Sequence, residues 1–94
     1  MAEALTAAQT DTELADLPEW KLVDGAIVRE FRFPEFLDGI GFVGRVAILA
    51  EEANHHPDID IRWTTVRLAL VTHSAGGLTK KDFDLAREID RMMA

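Results

Sequence analysis

The chain has 94 residues, 48% hydrophobic and 29% charged, a balance that fits one folded globular domain and excludes a disordered segment. Ten Lys and Arg against seventeen Asp and Glu leave a net charge of −7, which argues against direct nucleic-acid binding and against an anionic membrane surface as partner. The absence of cysteine excludes disulfides, thiol nucleophiles and thiolate metal sites.

No repeat, low-complexity tract or Pro/Ser-rich linker divides the sequence, so residues 1–94 are expected to form a single domain with 1–9 as a flexible end. The opening MAEALTAAQTDTELADL carries four acidic residues and no Lys or Arg, unlike a secretory signal. No stretch nears the roughly 18 consecutive apolar residues of a membrane span. A cytoplasmic protein is expected.

The first predicted element is a short helix over about residues 6–17, anchored by Leu14 and Leu17 and ended by Pro18. Residues 20–23 and 26–33 read as two antiparallel strands joined by Asp24-Gly25, a turn whose two positions both tolerate positive φ. Pro34 suits the first turn of the long helix that follows. Ile40, Gly44, Ala47, Glu51 and His55 form one stripe at helical spacing, and Phe42, Val46, Leu49, Ala53 and His56 form a second about 100° around. Apolar on both stripes, the helix is expected to be buried over a wide arc, against a sheet and against a second subunit. Gly39, Gly41 and Gly44 each cost about 1 kcal/mol relative to Ala in a helix interior, a loss that close approach of another element would offset. Pro57 ends the helix at or before His56.

After Pro57 the apolar period changes to two. Ile59, Ile61 and Trp63 form one face and Asp58, Asp60 and Arg62 the other, which predicts a half-buried strand. A Thr64-Thr65 connection leads into a strand over 66–73, with His73 at its end before the SAGG loop. Thr79 as N-cap, Asp82 three residues on, and Leu78 with Phe83 as a hydrophobic staple announce a last helix running to about Met92. The order α-β-β-α-β-β-α predicts an α+β fold, a four-stranded and mainly antiparallel sheet with helices on one face.

The chemistry-bearing residues gather at element ends. His55 and His56 close the long helix and His73 closes a strand, where functional groups are commonly exposed. Glu51, four residues before His55, is placed to orient that imidazole and favour its protonated form, while His56 points elsewhere. Plainer roles compete with these. Histidine suits a helix C-terminus, Asp82 is explained by capping, and Trp20 and Trp63 suit a core or a sheet face. A metal site finds no H-E-x-x-H helix and no Cys/His cluster, and a serine hydrolase finds no G-x-S-x-G elbow at Ser74. What remains is acid–base chemistry by imidazoles, whose pKa near 6.5 lets one donate and another accept at neutral pH.

The spacing Glu51, three residues, His55-His56-Pro57, five residues, Trp63, nine residues, His73, eight residues, Asp82 resembles the signature of the pterin-4a-carbinolamine dehydratases. Trp20 before a hairpin, F-x-F at 31–33, R-V-A at 45–47 and T-H-x-x-x-G-L-T at 72–79 extend the likeness over nearly the whole chain from about Thr10. The resemblance implies dehydration of 4a-hydroxytetrahydrobiopterin to quinonoid dihydropterin and water. It implies His55 and His73 as acid and base, His56 binding or protonating the substrate, and Asp82 assisting near His73. Asn54, Pro57, Thr72 and Ser74 would contact the pterin, Trp20 would lie near its edge, and Glu51 and Trp63 would support the site. It requires no metal or organic cofactor and implies a homodimer or homotetramer. Animal members of the family double as a dimerisation cofactor of a transcription factor, so a protein-binding module is the second hypothesis. A role in another pterin pathway, such as molybdopterin metabolism, is the third.

Overall fold

A computed structural model of the chain describes residues 3–94. The elements run α1 (Ala7–Ala15), β1 (Lys21–Val23), β2 (Ala26–Arg32), α2 (Phe36–Ala53), β3 (Asp58–Arg62), β4 (Thr65–Leu70) and α3 (Lys80–Met93), with a 3-10 turn at His73–Ala75. The expected order and α+β class are those found.

The strands form one sheet in the order β1-β2-β4-β3, antiparallel throughout. Asp24 and Gly25 both have positive φ, 49° and 82°, so β1 returns as β2 through the anticipated two-residue turn with Val23 opposite Ala26. Ile27 and Phe31 of β2 and Val66, Leu68 and Leu70 of β4 point to one face, where they meet Phe42 and Val46 of α2 and Phe83, Leu85, Ala86 and Ile89 of α3. Phe31 and Phe33 stack on Phe42 with ring centroids 4.6 and 5.1 Å apart. Each such side chain contributes about 1.5–3 kcal/mol through burial, which holds both helices on the same face. The other face carries Glu30, Arg32, Thr65 and Arg67, the alternate positions of the same two strands.

Several details differ from the sequence reading. The long helix starts one residue after Glu35 rather than at Pro34, and Asp38 accepts the Glu35 N–H at 3.2 Å. Only one of its two apolar stripes faces the sheet: Gly39, Phe42, Val46 and Ala50 are buried, whereas Ile40, Gly44, Ala47 and Glu51 are exposed. A Cβ at Gly39 would stand 3.4 Å from both Phe33 Cδ2 and Val66 Cγ2, so this glycine seats the helix closely on the sheet, while Gly41 and Gly44 face open space. The strand after Pro57 is an edge strand, and Ile59 and Ile61 stay partly exposed because the helices cover the middle strands. Trp63 lies beyond that strand, in the two-residue turn to β4, with φ 52° and 79% of its surface exposed. β4 ends at Leu70, so His73 opens a 3-10 turn instead of closing a strand.

Ala4 and Leu5 border the loop that follows β4. The Leu5 N–H donates to the Leu78 carbonyl at 2.7 Å, and Thr6 caps α1 in a reciprocal pair with Gln9. Arg87 of α3 ties α1 down through Glu13, whose carboxylate raises the guanidinium's proton affinity.

Candidate active site

Two helix ends and one loop build the site. α2 stops at Ala53 because Asn54 adopts the left-handed conformation, φ 49° and ψ 44°, which asparagine tolerates better than most side chains. The His55 N–H then donates back to the Ala50 carbonyl at 3.0 Å, closing the turn. This reversal sends His55 inward. Its Nε2 lies 2.5 Å from Asp82 Oδ1, the third residue of α3. His55 is 9% exposed and Asp82 fully buried.

Asp82 is placed by its capping role. Its Oδ2 accepts the Thr79 N–H at 2.9 Å and the Thr72 hydroxyl at 2.8 Å, while Oδ1 meets His55. As a carboxylate it therefore has three donors and no unpaired oxygen. His55 Nε2 carries the ring proton toward Asp82, which leaves Nδ1 as the lone-pair nitrogen of the neutral ring. Nδ1 has no protein partner among the described residues and is not sealed from solvent.

The two adjacent histidines diverge. His56 stays outside, its Nε2 2.5 Å from Glu51 Oε2. The expected Glu51–His55 contact is thus replaced by Glu51–His56, because the left-handed turn at Asn54 takes His55 off the helical spacing. His73 and Ser74 are exposed in the 3-10 turn, and Thr72 directly before them is anchored to Asp82. The structure therefore joins His55, Asp82 and the His73 turn through Thr72, with Asp82 paired to His55 rather than to His73.

Residues 3–92 match the sequence profile of the family described as pterin 4 alpha carbinolamine dehydratase. A protein of Mycolicibacterium smegmatis, provisionally named pterin-4-alpha-carbinolamine dehydratase, is 56% identical over 96% of both chains. One of Mycobacterium avium with the same provisional name is 58% identical over 92% of both. The chain belongs to the pterin-4a-carbinolamine dehydratase family. A crystal structure described as a transcriptional coactivator/pterin dehydratase from Brucella melitensis superposes with a TM-score of 0.92 at 33% identity, over 98% of this chain and all of that one. A pterin dehydratase-like protein described as a RuBisCO assembly factor of the alpha-carboxysome shares the fold, with a TM-score of 0.62 at 22% identity.

Within this dehydratase-family fold, the remaining candidate residues separate. Asn54 and Pro57 flank the histidine pair, Asn54 exposed and Pro57 half-buried. Trp20 is buried and tied to the other end of α3: its Nε1–H donates to Asp90 Oδ1 at 2.8 Å, and Asp90 lies about 12 Å along α3 from Asp82. Trp63 stands beyond the far end of β3, whose five residues, about 16 Å of strand, separate it from Pro57. A groove of about 530 Å³ between α2 and α3, lined by Glu52, Ala53, Lys81 and Glu88 among others, includes none of the histidines. Among the described residues, no three His, Asp or Glu side chains converge as a metal site would require. Sequence reasoning missed the Thr79 hydroxyl, which bonds Thr72 at 2.8 Å. Its only signal was the N-cap, which already explained the residue.

Proposed function

We propose that the chain dehydrates 4a-hydroxytetrahydrobiopterin to quinonoid dihydropterin and water by histidine acid–base catalysis, within tetrahydrobiopterin recycling. The observation that carries this reading is the His55–Asp82 pair, one ring nitrogen committed to a buried carboxylate and the other left open. Family membership supports the pterin substrate class. The reaction breaks the carbon–oxygen bond of the carbinol, the hydroxyl leaving as water with a proton from the acid. The neighbouring ring N–H gives its proton to the base as the carbon–nitrogen double bond forms. One proton enters and one leaves, so imidazoles suffice and no cofactor is consumed.

In this reading His55 exchanges its proton through Nδ1, and His73, exposed in the adjacent turn, is the second acid–base group. His56, oriented by Glu51, binds the substrate, with Asn54, Pro57 and Ser74 around it. Acid–base catalysis of this kind contributes about 10²- to 10⁴-fold, or ~3–5 kcal/mol. We also infer a cytoplasmic homo-oligomer; no described helix is long and apolar enough to cross a membrane.

The test uses carbinolamine generated by an aromatic amino acid hydroxylase. Purified protein is expected to accelerate dehydration, and His55→Ala and His73→Ala to lose most of the effect. No acceleration, or variants as active as the parent, would remove the enzymatic reading. A protein-binding module is the second reading, favoured by the exposed apolar residues Leu37, Ile40 and Ile48 on α2. It gains if substitutions there abolish a cellular effect while turnover survives.

A further inference from the structure

Two threonines hold the carboxylate that holds His55. Thr72 and Thr79 are 6% and 1% exposed, on either side of the loop between β4 and α3. With Asp82 as a carboxylate, Oδ2 is an acceptor only, so the Thr72 hydroxyl donates to it at 2.8 Å. That spends the one proton of Thr72. The 2.8 Å bond between the two hydroxyls must then use the proton of Thr79, which donates to Thr72. Thr79 Oγ1 in turn accepts the Lys81 N–H at 3.2 Å. The chain of donors runs from the Lys81 amide through Thr79 and Thr72 to Asp82, with every proton assigned.

The direction of this chain has a chemical result. Oδ2 takes the Thr72 hydroxyl and the Thr79 N–H, whereas Oδ1 is left for Nε2 of His55. The last torsion of an aspartate is soft, and the capping bond alone leaves the carboxylate free to rock about it. The Thr72 hydroxyl supplies a second fixed point. We propose that Thr72 and Thr79 are positioning residues: by saturating Oδ2 they aim Oδ1 at the imidazole, hold the neutral His55 ring as its Nε2–H tautomer, and keep Nδ1 as the atom that meets substrate. The proposal rests on His55 as an acid–base group, and it gives Thr72 a role behind the histidine instead of a contact with the pterin. Outer-shell partners of this kind fix both the tautomer and the orientation of a working imidazole.

The loop is also held to α3 by these bonds, so the test needs a readout that mere folding does not move. Full-length protein labelled with ¹⁵N in histidine reports the His55 tautomer by long-range ¹H–¹⁵N spectra at a pH where the ring is neutral. The parent and Thr72→Ser are expected to show the single Nε2–H form. Thr72→Val, which keeps the branched shape and loses the hydroxyl, is expected to show mixed tautomers, with kcat about tenfold or more lower, KM little changed and Thr72→Ser restoring kcat. Should Thr72→Val not fold, Thr72→Cys, a weak donor of similar size, gives the same reading. A folded Thr72→Val or Thr72→Cys that keeps the single Nε2–H form and parental kcat would overturn the proposal. A parent without dehydratase activity whose tautomer nevertheless becomes mixed in Thr72→Val would overturn the proposed function while supporting the positioning role.

Discussion

Asp82 performs two tasks with its two oxygens: Oδ2 caps α3 and Oδ1 receives His55. Substituting it separates them. Asp82→Ala removes the cap, worth about 1 kcal/mol, and strands the Thr79 N–H, the Thr72 hydroxyl and the His55 ring N–H in a buried site. A loss of about 3–5 kcal/mol is expected in urea denaturation, the cap together with about 1–3 kcal/mol for each buried donor left unpaired. A loss below about 1 kcal/mol would mean that water or a rearranged loop replaces the carboxylate. Asp82→Asn keeps one acceptor oxygen for the cap, so it is expected to fold while kcat falls about 10²-fold or more. The Glu51–His56 pair stands in contrast, since both side chains are more than half exposed. Glu51→Gln is expected to leave stability within about 0.5 kcal/mol of the parent, as solvent and salt screen such pairs. A larger shift in the urea midpoint would show that His56 is held by more than its surface partner.

At the scale of elements, local chemistry decided most of the fold and left its ends open. The Asp24-Gly25 hairpin and the Thr79–Asp82 cap were legible because each depends on residues a few positions apart. The end of α2 was only half legible. Pro57 bounds the helix, yet the stop comes earlier, at Asn54, and that shift alone decides whether Glu51 meets His55 or His56. Trp63 was misplaced because a turn with no Gly or Asn gives no local signal, and its positive φ follows from strand pairing between Arg62 and Thr65. The three histidines and Asp82 were found as candidates by position and family likeness. The pairing of His55 with Asp82, 27 residues apart, depends on how α2 and α3 pack and was not readable from spacing. Asn54 gives a direct check of the helix stop. Asn54→Val, forced into the left-handed region, is expected to cost about 1–2 kcal/mol, whereas Asn54→Gly is expected to be neutral or slightly stabilising. Equal thermal midpoints for the two variants would refute the stop as the device that turns His55 inward.

For the whole molecule, the core accounts for one stripe of α2 and leaves the other without a partner among the described residues. Leu37 and Ile48 are 73% and 61% exposed, Ile40 lies between them, and Gly41 and Gly44 offer no side chain where a second helix would approach. In a chain with a net charge of −7, a row of apolar residues on the longest helix is better explained by self-association than by solvent. Covering Leu37 and Ile48 would contribute about 1.5–3 kcal/mol each, and the two glycines would let helix backbones come close. Sedimentation analysis is expected to show a dimer or tetramer, and the pair Leu37→Glu with Ile48→Glu to shift it to monomer without loss of helix content. A native monomer would remove the subunit contact altogether. An oligomer untouched by both substitutions would move the contact to an open edge of the sheet, where Ile59, Ile61 and Trp63 beside β3 and Leu22 and Val23 on β1 are also exposed.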